Sequence, residues 1–249
     1  MITLYMIRID QALVERGLCD SRERAKRAVL AGRVRINGHP AKKSSDSVAP
    51  ADEVTLTAPE KYVSRGGHKL EHALTHFQLN VTGLTALDLG ASTGGFTDCL
   101  LQAGVVKVFA VDVGQGQLAW KLRRDPRVVV MEKTNARHLK PEQFPAPADL
   151  AVIDCSFISL KKILPPAIPL IKPGGRIVAL IKPQFEAGKA EADKGRGVIT
   201  DGAIHSRVLA ELEEFVGAEA GLSWRGVVES PLLGPAGNKE FLTLIEKAG

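Results

Sequence analysis

The first sixty residues carry the apolar spacing of two short helices followed by short strands. One apolar stripe contains Ile9, Leu13 and Val14, and the next contains Ala25, Ala28 and Val29. Gly17 is a typical helix end, and Asp20 followed three residues later by Glu23 predicts a capping box that opens the second helix. Basic and apolar residues then alternate over residues 33–36, and Asn37-Gly38 is a strong hairpin signal. With strand-like residues at 53–56, the pattern predicts a small α+β domain over residues 1–60.

From Thr85 to Lys247, apolar strand-like runs alternate with helical stretches, as in an open, mostly parallel α/β sheet. The predicted strands are Thr85–Leu89, Lys107–Val113, Val128–Glu132, Leu150–Asp154, Arg176–Ile181, Trp224–Glu229 and Phe241–Glu246. We therefore expect a seven-stranded, Rossmann-like α/β domain over residues 65–249, with residues 61–64 as a linker. In such a fold, ligands bind at the carboxyl ends of the strands.

Charge is distributed unevenly along the chain. The 249 residues include 33 basic and 28 acidic side chains, a net charge of +5. Residues 22–43 alone hold eight basic residues and one acidic residue, so this segment carries +7 and the remainder about −2. Such segregation is typical of a protein that binds a phosphate backbone, but a solvated basic face would have the same charge.

Composition and cysteine usage narrow the class of protein. Apolar residues make up 45% and charged residues 24%, which excludes collagen-like and wholly disordered chains. The three cysteines, Cys19, Cys99 and Cys155, are too widely spaced for a disulfide framework or a CxxC-type metal site. No apolar run approaches the roughly 18 residues of a membrane span, and no signal peptide is recognisable. We expect a cytoplasmic protein without a membrane partner.

A glycine-rich turn follows the first strand of the large domain. It runs Asp88-Leu-Gly90-Ala91-Ser92-Thr-Gly94-Gly95-Phe96. Its glycines permit backbone angles and close ligand approach that a Cβ would prevent. The G-x-x-x-G-G spacing and the carboxylate inside the motif disfavour a nicotinamide-binding turn. The pattern D-x-G-x-x-x-G-G-F instead resembles motif I of the S-adenosylmethionine-dependent methyltransferases, which makes these residues candidates for binding that cofactor.

Two later strand exits offer further contacts to an adenosine-like cofactor. Asp112 lies where a ribose diol would bind, which fits adenosine and NAD equally, so the glycine turn decides between them. Asn135 either contacts an adenine edge or forms an Asx turn. Phe157 either stacks near the cofactor or packs in the core.

Residue types at the other strand exits separate three kinds of methyl acceptor. Attack through a pyrimidine C5 needs a thiolate, but Cys155 lacks the preceding proline of that family. Methylation of a base amino group typically uses an Asn/Asp-Pro-Pro-aromatic clamp, and residues 154–157, Asp-Cys-Ser-Phe, lack both prolines. A ribose 2′-hydroxyl has a very high pKa and favours a lysine-containing site, which Lys182 offers directly after an apolar strand.

The N-terminal segment RIDQALVERGLCDSRERAKRAVLAGRVRINGHPA resembles the small RNA-binding module named for the fourth small-subunit ribosomal protein, here the S-four-type domain. The resemblance implies RNA binding through the basic residues of residues 1–60. The candidates are Arg8, Arg22, Arg24, Lys26, Arg27, Arg33, Arg35, Lys42 and Lys43.

The blocks SRGGHKL, DLGASTGGFTD, DCSFISL, LIKPQFE and GNKEF, together with this leader, resemble the TlyA family over essentially the whole chain. These are ribosomal RNA cytidine 2′-O-methyltransferases of the FtsJ class, often labelled haemolysin A. The resemblance implies a Lys-Asp-Lys-Glu tetrad, here Lys69, Asp154, Lys182 and Glu240. It further implies that Lys182 acts as or assists the general base, that Lys69 and Glu240 orient the ribose, and that Asp154 positions the nucleophile and the S-adenosylmethionine. The partner would be ribosomal RNA in its subunits, 23S and perhaps also 16S.

Each tetrad residue also has a simpler interpretation. Lys69 would be an ordinary helix cation, Asp154 a helix cap, Lys182 a strand-end charge, and Glu240 half of a surface pair with Lys239 or Lys247. The four together, each at the appropriate element, favour the catalytic interpretation.

Two other features have competing interpretations. His68, His72 and His76 recur every four residues and suggest zinc, but without an acidic or cysteine partner they favour a polar helix face, so no metal is expected. The segment Pro183–Thr200 contains Gly188, Gly195 and Gly197 among Glu186, Lys189, Glu191, Asp193, Lys194 and Arg196, and is either a lid over RNA or an ordinary surface loop.

Two other classes of function stay open at this point. An RNA-binding protein with an inactive methyltransferase domain would bind RNA without methylating it. A membrane-lytic protein would need an amphipathic or spanning segment, which the sequence does not display.

Overall fold

The computed structural model describes residues 5–58, 60–188, 191, 193 and 195–249, and the chain divides into two compact units, Met1–Glu60 and Lys61–Gly249. Residues 61–64, predicted as a linker, belong to the second unit. The reason is packing: the Tyr62 ring is buried in that unit's core, and the Val63 amide donates to the Asp98 carboxylate at 2.8 Å.

The first unit consists of two helices and short antiparallel strands. In chain order its elements are β1 (Ile7–Arg8), α1 (Ile9–Glu15), α2 (Arg22–Leu30), β2 (Val34–Ile36), β3 (His39–Pro40), β4 (Ser47–Val48) and β5 (Val54–Leu56). Strands β3, β2 and β5 form one sheet, and β1 pairs with β4. Asn37 and Gly38, with φ angles of 50° and 79°, make the predicted tight turn between β2 and β3. The apolar faces of both helices pack into one core, as their spacing predicts.

Helix α2 begins one residue later than the predicted capping box requires. Ser21 is the N-cap residue, and its hydroxyl accepts a hydrogen bond from the Arg24 amide. Asp20 lies outside the helix and pairs with the Arg24 side chain. The prediction that Asp20 caps the helix is therefore wrong, because the adjacent serine hydroxyl occupies the capping position.

The second unit is built on a seven-stranded mixed sheet. Its elements are α3 (Gly66–His76), β6 (Thr85–Leu89), α4 (Gly95–Gln102), β7 (Lys107–Val111), α5 (Trp120–Arg123), β8 (Val128–Met131), β9 (Ala148–Ile153), α6 (Leu164–Ala167), β10 (Ile171–Ile181), α7 (Pro183–Glu186), α8 (Gly202–Ala218), β11 (Leu222–Glu229) and β12 (Phe241–Lys247). The strand order is β11-β12-β10-β9-β6-β7-β8, with β12 antiparallel to both neighbours and the strands from β10 to β8 parallel. This confirms the predicted α/β fold class.

Apolar side chains on the two faces of this sheet form two separate cores. Along β10, Ile177, Ala179 and Ile181 face one core, whereas Val178 and Leu180 face the other. Helix α8 covers the first face, and α3 and α4 cover the second. Strands buried on both faces must be apolar at nearly every position, which explains their continuous apolar runs.

The start of β10 differs from the prediction. The strand begins at Ile171 instead of Arg176, with a register shift against β9 between these residues. Pro173 and Gly174 are turn-forming residues, and the glycine has a φ of 72°. They interrupt the apolar strand pattern, so the early part of the strand was not predicted.

Because β6, β7, β8, β9 and β10 are parallel, their carboxyl ends lie along one edge of the sheet. Asp112, Asp154 and Lys182 directly follow three of these strands. Among the described residues, the longest and most apolar helices still fall short of what is needed to cross a membrane.

Candidate functional site

The glycine turn brings β6 and α4 against the end of β9. Gly90 has a φ of +89°, and a Cβ there would stand 2.6 Å from the carbonyl oxygen of Asp154. Gly94, at φ +95°, is the N-cap of α4, and a Cβ would meet the Leu122 side chain at 2.3 Å. A larger residue at either position would move the turn away from its neighbours, so the turn requires glycine here.

Asp112 is fixed beside this turn by two backbone amides. Its Oδ2 accepts from the Ser92 amide at 2.8 Å and its Oδ1 from the Gly114 amide at 2.7 Å. Each carboxylate oxygen keeps a second lone pair for a ligand hydroxyl. Asn135 accepts a hydrogen bond from the Arg137 amide through Oδ1 at 3.0 Å, which is the Asx-type turn of the second interpretation, and it also lines the adjoining cavity.

A cavity of about 490 Å³ extends from the glycine turn over the ends of β7 and β8. It is lined by Gly90, Ser92, Val111, Asp112, Val113, Gln117, Thr134, Asn135, Ala136, Arg137, Asp154, Cys155, Ser156, Phe157, Ile158 and Ile163. Its volume is within the range of small-molecule sites, about 300–1,000 Å³. We call it the donor cavity.

Asp88 lies beneath the turn and lines neither this cavity nor the one described next. It is fully buried, and the Thr97 hydroxyl donates to its Oδ2 at 2.6 Å. Burial raises the pKa of Asp88 to about 7, and the nearby Asp154 carboxylate adds to this effect. Gly94 is likewise outside both linings, so these two predicted cofactor residues are placed behind the cavity wall.

A second cavity of about 270 Å³ shares Gly90, Ser92, Asp154 and Ser156 with the first. We call it the acceptor cavity. All four predicted tetrad residues line it: Lys69, Asp154, Lys182 and Glu240. Ala91, Gly95 and Phe96 of the glycine turn also contribute to its wall.

The four charged residues form two ion pairs. Lys69 pairs with Glu240, and their side chains are only 8% and 1% exposed. The Lys182 Nζ lies 2.6 Å from the Asp154 Oδ1 and donates to the Ser156 hydroxyl at 2.8 Å. Lys182 is itself buried. Lys69 is therefore not an ordinary helix cation, and Lys182, although it stands at the end of a strand, is buried and paired.

Glu240 makes neither of the surface pairs considered from the sequence. Lys239 pairs instead with Glu229 at 3.1 Å, and Lys247 donates to the carbonyl oxygens of Ile168 and Ile171. The carboxylate of Glu240 lies against the backbone at Gly234, where a Cβ would stand 2.4 Å from Oε1.

Asn238 holds the loop that delivers Glu240. Its carbonyl accepts from the Gly234 amide, its Oδ1 accepts from the Ile199 amide, and its Nδ2 donates to the Gly197 carbonyl, each at 2.8 Å. Asn238 is 1% exposed. This residue thus fastens the loop before β12 to the end of the segment that follows Lys182.

Sequence reasoning missed three residues that organise the site: Ser156, Thr97 and Asn238. Ser156 stands next to Asp154 in a strand exit already singled out, so its position was a usable signal. Thr97 lies nine residues after Asp88 in the same glycine-rich block, so its position was also a usable signal, whereas the side-chain contacts of Asn238 join residues about forty positions apart, which no local pattern displays.

The segment Pro183–Thr200 begins with the short helix α7. Glu186 accepts hydrogen bonds from the Ser159 hydroxyl at 2.6 Å and the Leu160 amide at 2.7 Å, and burial raises its pKa. Lys189 and Lys194 lie outside the described residues, and the lid stays a prediction. Phe157 is 89% exposed, so the interpretation that it packs in the core is wrong, and its ring centroid lies 5.1 Å from that of Phe185.

The histidines of α3 are not arranged as ligands of a metal ion. The rings of His72 and His76 stack at 6.3 Å between centroids. Across the ranges that the structure describes, no group of three or more His, Cys, Asp and Glu side chains is arranged to hold a metal ion.

Two of the basic candidates of the first unit, Arg8 and Arg22, contact one buried acid. Asp10 is fully buried and accepts two hydrogen bonds from Arg8, at 3.0 and 3.2 Å, and one from Arg22 at 3.0 Å. These arginines, chiefly Arg8, hold the pKa of Asp10 below its usual value. Both guanidinium groups are about half exposed, so each keeps donors for a ligand.

The other basic candidates lie on the surface of that unit. Arg33 donates to the Thr57 carbonyl and Arg35 to the Gly38 carbonyl. The exposed members of the set are Arg24, Lys26, Arg27, Arg35, Lys42 and Lys43.

Comparison with known proteins identifies the two parts of the chain. The family model of the FtsJ-like methyltransferases matches residues 62–247, and that of the S4 domain matches residues 7–54. The chain therefore belongs to the FtsJ-like methyltransferase family and carries an S4 domain. Both resemblances noted in the sequence are confirmed.

Relatives match almost the full length of the chain. The 16S/23S rRNA (cytidine-2′-O)-methyltransferase TlyA of Mycobacterium tuberculosis is 48% identical over 94% of this chain and 87% of its own. Hemolysin A of Brachyspira hyodysenteriae is 38% identical over 95% of this chain and 98% of its own. A solved structure from Streptococcus thermophilus, 44% identical, covers 99% of this chain and 90% of its own with a TM-score of 0.74.

Proposed function

We propose that this protein transfers a methyl group from S-adenosylmethionine to the 2′-hydroxyl of a cytidine in ribosomal RNA. The observation that carries the proposal is the acceptor cavity, in which two lysine–carboxylate pairs, Lys69–Glu240 and Lys182–Asp154, stand beside the glycine turn. The relative from M. tuberculosis, named for cytidine 2′-O-methylation of 16S and 23S rRNA, supports the choice of substrate.

The donor cavity has the features that an adenosine-containing sulfonium needs. Gly90 lets the turn pack closely against the Asp154 backbone at the cavity wall, and the fixed Asp112 carboxylate can accept two hydroxyl hydrogen bonds. Ser92, Asp112 and Asn135 would hold the nucleoside part, with Asp154 at the boundary to the acceptor cavity. When bound, S-adenosylmethionine supplies an electrophilic methyl group.

The two buried ion pairs can position a hydroxyl acceptor and remove its proton. A ribose hydroxyl is a weak nucleophile, so the site must fix its oxygen and take its proton. Lys182, held by Asp154 and Ser156, would act as or assist the general base after losing its own proton to solvent, since only the neutral amine has a lone pair for the hydroxyl proton, and Asp154 would position the hydroxyl. Lys69 and Glu240, paired with each other in the cavity wall, would orient the ribose and tune Lys182.

The S4 domain would supply most of the RNA affinity. Arg8 and Arg22, oriented by Asp10, and the exposed basic residues around them can contact phosphates without reading sequence. The free 2′-hydroxyl required by the reaction exists in RNA and not in DNA. A ribosomal RNA substrate would place the protein in the cytoplasm.

Transfer of a radiolabelled methyl group to isolated ribosomal subunits, followed by nuclease digestion, tests this function. We expect labelled 2′-O-methylcytidine from wild type, and a loss of about 10²-fold or more in kcat for Lys182→Ala, because the hydroxyl proton loses its acceptor. Lys239→Ala, which removes an exposed lysine paired with Glu229, is the matched control and should keep wild-type activity.

Calorimetry with S-adenosylmethionine distinguishes a catalytic defect from a binding defect. Lys182→Ala should bind the donor nearly as wild type does. Full activity of this variant would refute the catalytic assignment. If wild-type protein labels neither the large nor the small subunit, the proposed function is refuted.

A further inference from the structure

A tryptophan of the second unit is unusually exposed. Trp120, at the start of α5, is 71% exposed, whereas the other tryptophan of the chain, Trp224, packs against the core. Tryptophan is highly buried on average, so an open indole ring needs a reason. Exposed aromatic rings next to cations are a common means of stacking unpaired nucleic-acid bases.

Arg124 lies over the Trp120 ring, with its guanidinium carbon 5.4 Å from the centroid. The neighbouring cations are already neutralised: Lys121 pairs with Asp98, Arg123 with Glu132 and Arg127 with Asp125. Arg124 has no carboxylate oxygen within 4 Å among the residues that the structure describes. Its charge and its five N–H donors are therefore available to a ligand phosphate.

The backbone that carries Trp120 is fixed to the glycine turn. The Ala119 amide donates to the Thr93 carbonyl at 3.1 Å. The Leu118 and Leu122 side chains occupy the space beside Gly94, where a Cβ would meet them at 2.8 and 2.3 Å. Thr93 itself lines the acceptor cavity. Trp120 thus directly follows a residue that is hydrogen-bonded to the wall of the acceptor cavity, although its own side chain does not line that cavity.

We propose that Trp120 and Arg124 form a stacking platform for an unpaired RNA base adjacent to the methylated nucleotide, with Arg124 contacting its phosphate. This rests on the proposed function, since it assumes an RNA substrate in the acceptor cavity. It adds an RNA contact made by the methyltransferase unit itself, separate from the basic residues of the S4 domain.

Charge selects RNA over a second copy of this chain as the occupant. Residues 119–127 contain four basic residues and one acidic residue, and with the paired Asp98 and Glu132 included the patch keeps a charge of +1, carried by Arg124. A two-fold contact between copies would bring identical patches together and oppose these charges. A phosphate backbone complements them and releases its counterions on binding.

Steady-state methylation of isolated large and small ribosomal subunits tests the platform. For Trp120→Ala we expect the KM for the subunit to rise about 5- to 100-fold with little change in kcat, because a stacked base is lost. Trp120→Phe should restore most of the affinity. Arg124→Ala should reduce the salt dependence of RNA binding by about one unit in the log–log slope. Val106→Ala, at another exposed apolar residue, is the matched control.

A fluorescence titration tests the stacking platform independently of methyl transfer. In a Trp224→Phe background, Trp120 is the sole tryptophan, and subunits should quench its emission whether or not methyl transfer occurs. An unchanged KM for Trp120→Ala in an active enzyme, or emission indifferent to subunits, would overturn the platform and leave the function intact. Sedimentation that shows a dimer in wild type and a monomer in Trp120→Ala would assign the ring to self-association and also overturn it.

Discussion

Asp10 in the first unit and Asp88 in the second are both inaccessible to solvent, yet their pKa values shift in opposite directions. Two arginines donate to Asp10 and lower its pKa, whereas Asp88 receives one hydroxyl hydrogen bond and burial raises its pKa to about 7. Burial alone therefore does not decide the charge of a buried acid in this protein. Both donors and depth matter: in the first unit two solvent-facing arginines outweigh the desolvation of Asp10, and in the second the stronger desolvation of Asp88 beneath the glycine turn outweighs one neutral hydroxyl.

Glu240 is a third buried carboxylate, and unlike Asp10 and Asp88 it is paired with a cation that is also buried, Lys69. Glu240→Ala leaves the Lys69 ammonium in the wall without its partner, and we expect the second unit to lose about 3–5 kcal/mol of unfolding free energy. Both tryptophans lie in the second unit, so urea unfolding followed by tryptophan fluorescence reports on that unit.

The exposed pair between Glu229 and Lys239 is the control for this measurement. Glu229→Ala should cost about 1 kcal/mol or less. Equal losses for Glu229→Ala and Glu240→Ala would show that burial of the Lys69–Glu240 pair does not set its contribution.

Asp88 should give the second unit an unusual pH dependence. Its folded pKa of about 7 lies above the unfolded value, so its contribution favours the folded state at low pH and is lost as pH rises from about 4 to about 7. We expect Asp88→Asn to remove this trend, and the difference from wild type to change by up to roughly 4 kcal/mol between pH 4 and pH 8. Urea unfolding at several pH values measures it. A constant difference across this range would mean that Asp88 is ionised in the folded state.

Asp10 should produce the opposite and smaller trend in the first unit. Its folded pKa is lowered, so its stabilising contribution is present above about pH 4 and is lost as pH falls further. Asp10→Asn should remove this acid-dependent part, measured by amide hydrogen exchange in residues 5–58. It should also weaken RNA binding by roughly tenfold or less, since Arg8 and Arg22 lose their orientation.

Asp20→Asn is the matched control for the first unit, because Asp20 pairs with Arg24 at the surface. It should leave both acid stability and RNA affinity near wild type. An Asp10→Asn variant with normal RNA affinity would show that Arg8 and Arg22 do not need their buried partner to bind.

The elements that could be predicted from sequence are those whose pattern is local. The strands of the second unit are mostly apolar runs and the Asn37-Gly38 turn is encoded by two residues, so the seven strands and the turn were predicted, although β7, β8, β9, β11 and β12 have ends that differ by one or two residues from the prediction. The early part of β10 was missed because Pro173 and Gly174 interrupt its pattern. The cap of α2 was misassigned because two adjacent residues, Asp20 and Ser21, can each supply the capping oxygen.

In the candidate site, too, a local pattern predicts some features and only the fold reveals others. Residues at strand exits, such as Asp112 and Lys182, follow from the strand pattern and the parallel sheet. The partner of each charge does not: only the fold shows that Lys69 meets Glu240 and that Lys182 meets Asp154 and Ser156. The exposure of Trp120 is equally invisible, because an aromatic residue in a short helix has the sequence pattern of a core position.

The position of β12 between β10 and β11 has a consequence for the order of folding. Lys69 and Glu240 are separated by 171 residues, and Glu240 directly precedes β12. During synthesis at about 5–20 residues per second, α3 would leave the ribosome roughly ten to thirty seconds before the glutamate that neutralises its lysine. A nascent chain would therefore hold a nearly complete donor cavity while its acceptor cavity still lacks a wall. Methyl transfer would have to wait for one of the slowest contacts of the fold to close.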